Sequence, residues 1–161
     1  MYCLSVQLPW ALLIVAGRKS IEVRSWSYRS LGRAQALIGQ RVAIHCGQGI
    51  GHNAPANVVR MADEISGAWQ GLRGNVIGSA VLVAAFRFTL QTWEEESPNH
   101  LNPLAWWGGG LVGLQFREPL RLNRPVPCRG QLGFFDLPAE IIDLVREARR
   151  TCQQQSQSVS T

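Results

Sequence analysis

The sequence has almost no lysine. Fifteen of its sixteen basic residues are arginine, and Lys19 is the only amine-bearing side chain. It also has no run of about eighteen apolar residues, so it offers no candidate for a membrane-spanning helix. Its four cysteines, Cys3, Cys46, Cys128 and Cys152, form no C-x-x-C pair, and no group of His and Cys has zinc-site spacing. A thioredoxin-like redox motif and a zinc ribbon are thereby excluded. Free thiols in a reducing compartment are expected, with no metal and no other cofactor. Only Cys46, beside His45, has an adjacent base that would lower a thiol pKa. The apolar run 8–17 has no Lys or Arg before it and Arg18-Lys19 after it, where a signal peptide would have a small-residue cleavage site. It reads as a buried helix of a cytoplasmic protein.

What remains is ordinary globular composition: 161 residues, 46% hydrophobic and 17% charged. That suits one domain with its own core and excludes a collagen, a coiled coil and a wholly disordered chain. The formal charge of +5 permits nucleic-acid binding without establishing it.

Residues 2–7 alternate, with Leu4 and Val6 on one face and Cys3, Ser5 and Gln7 on the other. Pro9 then opens a helix that Gly17 closes. Residues 21–26 alternate again, as do 41–46, whose second face carries Ala43 and His45. Val58, Ala62, Ile65 and Trp69 fall at helical spacing and predict a helix over about 55–70. Residues 76–89 are apolar on both faces, as in a central covered strand, with Gly78 marking a bulge or bend. Residues 90–110, with Glu94, Glu95 and Glu96, two prolines and a glycine triplet, read as a long irregular excursion. Two strands, 111–120 and 126–137, and a last helix from Pro138 follow. Residues 1–150 make one domain, and 151–161 a disordered polar tail. The fold class is α+β, a small mixed β-barrel with peripheral helices.

If the apolar faces of the first three strands share one core, their other faces bring together Ser5, Gln7, Glu22, Arg24, Trp26 and His45. These are donors, acceptors, a carboxylate, a guanidinium and an indole able to stack on a planar ligand. The plain alternative is a solvated face with a Glu22–Arg24 ion pair and Trp26 packed under a loop. Lys19 lies at the corner between helix and strand, three residues before Glu22; if buried, its pKa is lowered and it acts as a base or nucleophile, and it equally suits holding a phosphate or a base carbonyl. The segment 47–51 is glycine-rich but lacks a phosphate-loop ending. His52 and His100 read as lone, solvated loop histidines.

The stretch Leu4-Ser5-Val6-Gln7-Leu8-Pro9-Trp10-Ala11, followed by Gly17-x-Lys19-x-x-Glu22-x-Arg24-x-Trp26, resembles the signature of ASCH domains, relatives of the PUA domain. Residues 76–83, Ala43-Ile44-His45 and the Pro125-to-Phe134 segment are similar to the same pattern. The resemblance implies a PUA-like barrel with a cleft beside the first helix, and Trp10 joins Ser5, Gln7, Lys19, Glu22, Arg24, Trp26 and His45 as ligand-binding candidates. It implies RNA, single-stranded nucleic acid or a nucleotide as partner, with no membrane. Some small members are amidohydrolases acting on an acylated cytidine. They use a Lys matching Lys19, a Thr three residues later, and a distal Glu. Here Glu22 stands at the Thr position, a departure from the hydrolase pattern that favours the binding reading; under the hydrolase reading Lys19 and Glu22 are the catalytic candidates, and the distal glutamate falls among Glu94, Glu95 and Glu96. A protein-interaction domain without a nucleotide ligand is the third reading.

Overall fold

The structure is a computed structural model that describes residues 1–51 and 53–158, with side chains through Thr151; the expectation for His52 and the end of the tail lie outside the described residues. Six strands form one sheet in the order β2-β5-β4-β3-β1-β6. They are β1 (Tyr2–Leu8), β2 (Ile21–Ser25), β3 (Arg41–Ile50), β4 (Asn75–Arg87), β5 (Leu111–Pro127) and β6 (Phe134–Asp136). The helices are α1 (Trp10–Val15), α2 (Tyr28–Gln35), α3 (Ala56–Ile65), α4 (Leu90–Glu95), α5 (Ser97–His100) and α6 (Ala139–Ser158). This is the expected α+β architecture: a mixed sheet curled into a half-barrel with helices outside it. Only β1 and β3 pair in parallel; the other pairs are antiparallel.

The main core lies between the sheet and α1, whose six residues are all buried. Gly17, at φ +72°, sits just past the α1 C-cap. The Gly17 N–H bonds to Ile14 O and the Arg18 N–H to Leu13 O, the paired closure of a Schellman motif. A second core on the opposite face contains Cys3, Ala43, Val76, Val126 and α6 residues Val145 and Ala148. Cys3, expected on the polar face, is therefore buried, because α6 covers that end of the sheet.

Three expectations are corrected. Residues 111–127 form one strand where two were expected. Beyond Gln115 β5 has lost β2 as a neighbour, and Pro119 falls at a shift in the β4–β5 register, so its missing N–H breaks no ladder bond. The excursion 90–110 is partly helical, because Thr89 and Thr92 cap each other's backbone N–H groups at the start of α4. Helix α2 was not foreseen; Ser27 caps it by accepting from the Ser30 N–H, and it buries only Leu31 and Ala34. Helix α6 runs to Ser158. Gly78 marks a bend as expected. The register shifts beside it in both pairings of β4, and a side chain there would run into Val15 of α1 and the Leu120 carbonyl.

Candidate functional site

The curl brings β2, at one edge of the sheet, back against β1 and β6 at the other. Arg24 Nη2 donates to the Ser5 carbonyl at 2.5 Å, and Trp26 meets Phe134 edge-on at 5.8 Å. This seam holds a cavity of about 310 Å³ lined by Gln7, Trp10, Glu22, Val23, Arg24, Ser25, Trp93, Asn102, Trp106 and Leu111. Gln7 and Glu22 therefore share one cleft, as the strand alternation required. Trp93, Asn102 and Trp106 come from the excursion, which forms one wall. Trp106 lies edge-on to Trp10 with ring centres 6.5 Å apart.

Behind Glu22 lies Lys19, 2% exposed. The Schellman closure of α1 places it, since the Lys19 N–H also bonds to Leu13 O. Its Nζ donates to the His100 carbonyl at 2.6 Å, stands 3.7 Å from Glu22 Oε2 and lies 5.0 Å from the centre of the Trp10 ring. That carbonyl ends α5, where Leu101 takes a left-handed φ of 59° and leaves it without a helical partner. Burial lowers the Lys19 pKa to about 8, and the Glu22 carboxylate opposes the shift. Glu22 Oε1 also pairs with Arg24 Nε at 3.2 Å, without the alignment of a hydrogen bond. One carboxylate is thus shared by two cations, and the carboxylate and the guanidinium face the cavity while the amine is held behind them.

His45 and Ser5 sit on the expected side of the sheet, outside the cavity lining. His45 Nε2 donates to the Cys128 carbonyl at 3.0 Å, and Ser5 Oγ donates to His45 Nδ1 at 3.1 Å. Burial lowers the His45 pKa, so the ring is neutral. Gly130 closes over the pair so tightly that any side chain there would strike the imidazole. Trp26 lines a separate, smaller hollow on the same seam. Cys46 is buried in the main core, and burial pushes its thiol up to about 12, the reverse of an activated nucleophile.

No family model matches the sequence, and no curated protein matches it. Solved structures do. The ASCH protein from Zymomonas mobilis superposes with a TM-score of 0.58 at 14% identity, over 91% of this chain and 93% of that one. Two point variants of that protein give TM-scores of 0.56 at 15% and 14% identity, over 91% of this chain and 94% and 96% of theirs.

The chain has the ASCH fold.

Within this ASCH fold the structure corrects the reading of His100. It is fully buried, stacks on Trp93 at 4.0 Å, donates from Nε2 to the Trp93 carbonyl and accepts the Asn102 N–H at Nδ1. It anchors the wall of the cavity and offers its carbonyl to Lys19. None of Glu94, Glu95 and Glu96 lines the cavity; Glu95 takes Gln91 and Glu96 takes Asn99 as surface partners. Among the described residues Glu22 is the only carboxylate in the lining. Trp93, Asn102 and Trp106 were missed individually, although the length of the excursion and its aromatic content pointed to that segment. Among the described residues no cluster of His, Cys, Asp and Glu could hold a metal, and no helix is long and apolar enough to cross a membrane.

Proposed function

We propose that the protein binds a nucleobase or nucleoside, free or unstacked from an RNA strand, in the seam cavity. The observation that carries this reading is the pairing of three indoles, Trp10, Trp93 and Trp106, with Glu22, Arg24 and Gln7 in about 310 Å³. That is the small end of the range for small-ligand pockets. Trp106 supplies the exposed stacking surface, Trp10 and Trp93 give the buried aromatic wall behind it, the Glu22 carboxylate accepts from a base amine or imine N–H, and Arg24 and Gln7 donate to base carbonyls or phosphate. Lys19 supports Glu22 from behind.

Calorimetric titration of the four ribonucleosides tests it. At least one is expected to bind. Trp106 is 43% exposed at the rim, so Trp106→Ala should weaken binding by about 1–3 kcal/mol, the value of one stacked base, without unfolding the protein. Gln7→Ala, an exposed position, should cost about 1 kcal/mol. If no nucleoside binds, or neither substitution changes the affinity, the reading is wrong.

One observation favours a second reading, hydrolysis of an acylated cytidine-type nucleoside. Lys19 is an enclosed amine with its pKa lowered to about 8, 3.7 Å from a carboxylate. Against it stand the 2.6 Å bond that holds the amine on the His100 carbonyl and the absence of Lys19 from the cavity lining. Chromatography of N-acetylcytidine incubated with the protein separates the two. Deacylation that Lys19→Arg abolishes would establish the hydrolase.

A further inference from the structure

The seam continues past the cavity. Along it β1 and β2 run in opposite senses: Gln7 and Glu22 share the cavity, Arg24 bonds to the Ser5 carbonyl, and Trp26 reaches Phe134, which pairs with Leu4. At this far end lies a hollow of about 200 Å³ lined by Trp26, Ser30, Arg33, Leu132, Gly133 and Phe134. Its contents are two aromatic rings, a hydroxyl, a guanidinium and Leu132, an apolar side chain 99% exposed; among the described residues no carboxylate lines it. Arg33 is exposed in the last turn of α2. Arg24 stands between the two hollows: it lines the first, and its guanidinium carbon lies 5.9 Å from the centre of the Trp26 ring. Two stacking sites flanking a guanidinium, with a second guanidinium beyond, match base, phosphate, base along a single strand.

We infer that the Trp26–Arg33–Phe134 hollow is a second base subsite, so that the ligand is a single-stranded nucleic acid of at least two nucleotides. The inference rests on the proposed role of the cavity for the first base. Trp26 offers its indole to the adjacent base, Arg24 takes the phosphate between the two, and Arg33 takes the next phosphate. Leu132 covers the edge of the second base.

The test titrates the four ribonucleosides and the dinucleotides ApA, CpC, GpG and UpU by calorimetry against wild type, Trp26→Leu, Arg33→Ala and Trp106→Ala. The preferred dinucleotide should bind roughly ten-fold or more tightly than its nucleoside, as one further stacked base provides. Trp26→Leu, which keeps an apolar contact with Phe134, should remove that gain. Arg33→Ala, on the solvent face of α2, should leave nucleoside and dinucleotide affinities at the wild-type value, because the single phosphate of the dinucleotide goes to Arg24. With a ten-nucleotide mixed-sequence RNA, Arg33→Ala should lower the slope of log affinity against log salt by about 0.7. Trp106→Ala should weaken nucleoside and dinucleotide alike. Nucleoside binding that depends on Trp106, with a dinucleotide no tighter or a gain that survives Trp26→Leu, would overturn the second subsite and leave the first intact; an unchanged salt slope in Arg33→Ala would overturn the assignment of Arg33 to the next phosphate. Failure of both probes to bind would overturn both.

Discussion

A lysine ammonium with its side chain 1% exposed and a glutamate 9% exposed, sharing space with an arginine, make the centre of this molecule electrostatically expensive. The sign of the resulting pH dependence follows from the Lys19 pKa, lowered from 10.5 to about 8 by burial. Between those values the unfolded chain holds a proton that the folded protein has released, so the Lys19 contribution to stability rises with pH across that window and is constant below it. Cys3 and Cys46 act in the opposite sense above about pH 9, because burial raises their thiols and the unfolded chain ionises first. The clean measurement is therefore the difference between wild type and Lys19→Met in urea unfolding. That difference should move in favour of wild type by about 2 kcal/mol between pH 7 and pH 10; a flat difference would show that Lys19 titrates normally in the fold. Removing the other partner is a sharper test. Glu22→Gln leaves the ammonium buried against one carbonyl and should cost about 3–5 kcal/mol at pH 7, while Glu22→Gln combined with Lys19→Met should recover much of it. Additive losses in that cycle would mean that the two side chains are not coupled.

Elements were legible in proportion to how strongly burial marked their sequence. Strands β1 and β3 alternate because one face meets the core under α1, β2 because Ile21 and Val23 meet the separate Phe88–Trp93 cluster, and α3 shows its buried Val58 and Ala62 at helical spacing. Helix α2 was silent because it buries only Leu31 and Ala34; its signals are the Ser27 cap and that three-residue spacing. The continuity of β5 was hidden by Pro119 and Pro125, which mark breaks in most strands, and only the pairing with β4 shows that they sit clear of the ladder. Gly78 was read correctly as a bend, yet its cause is tertiary: Val15 of α1 and the Leu120 carbonyl crowd the position a Cβ would take. Gly78→Ala should therefore cost about 1–3 kcal/mol by overpacking, seen as a lower urea midpoint at unchanged slope. Unchanged stability would mean that α1 can move off the sheet without loss.

At the scale of the whole molecule, alternation placed Gln7, Glu22 and Arg24 on one face but could not reveal that the sheet's two edges meet. Strand order is a property of non-local pairing, and nothing in residues 2–8 or 21–25 announces that β1 and β2 are separated by three strands in one direction and by a single seam in the other. That is why Trp26, read as part of the same cleft, lies at a second hollow, and why the Ser5–His45 pair lies outside the cavity lining, beneath Gly130. Arg24 is the residue on which this closure turns. Its Nη2 donates across the seam to the Ser5 carbonyl, its Nε faces Glu22, and its side chain is 23% exposed, so solvent screens it only partly. A charge-assisted hydrogen bond of this kind contributes about 1.5–3 kcal/mol. Arg24→Met keeps an apolar stem and removes the guanidinium that lies beside Trp26 and bonds to the Ser5 carbonyl. It should lower the urea midpoint by a corresponding amount and raise amide exchange selectively in residues 3–7 and 21–25, with β4 and β5 protected as before. Arg24→Lys, which cannot reach the carbonyl and the carboxylate together, should recover less than half of the loss. Exchange that rises evenly across all six strands would mean that Arg24 supports the fold as a whole, and that the seam has no independent freedom to admit a ligand.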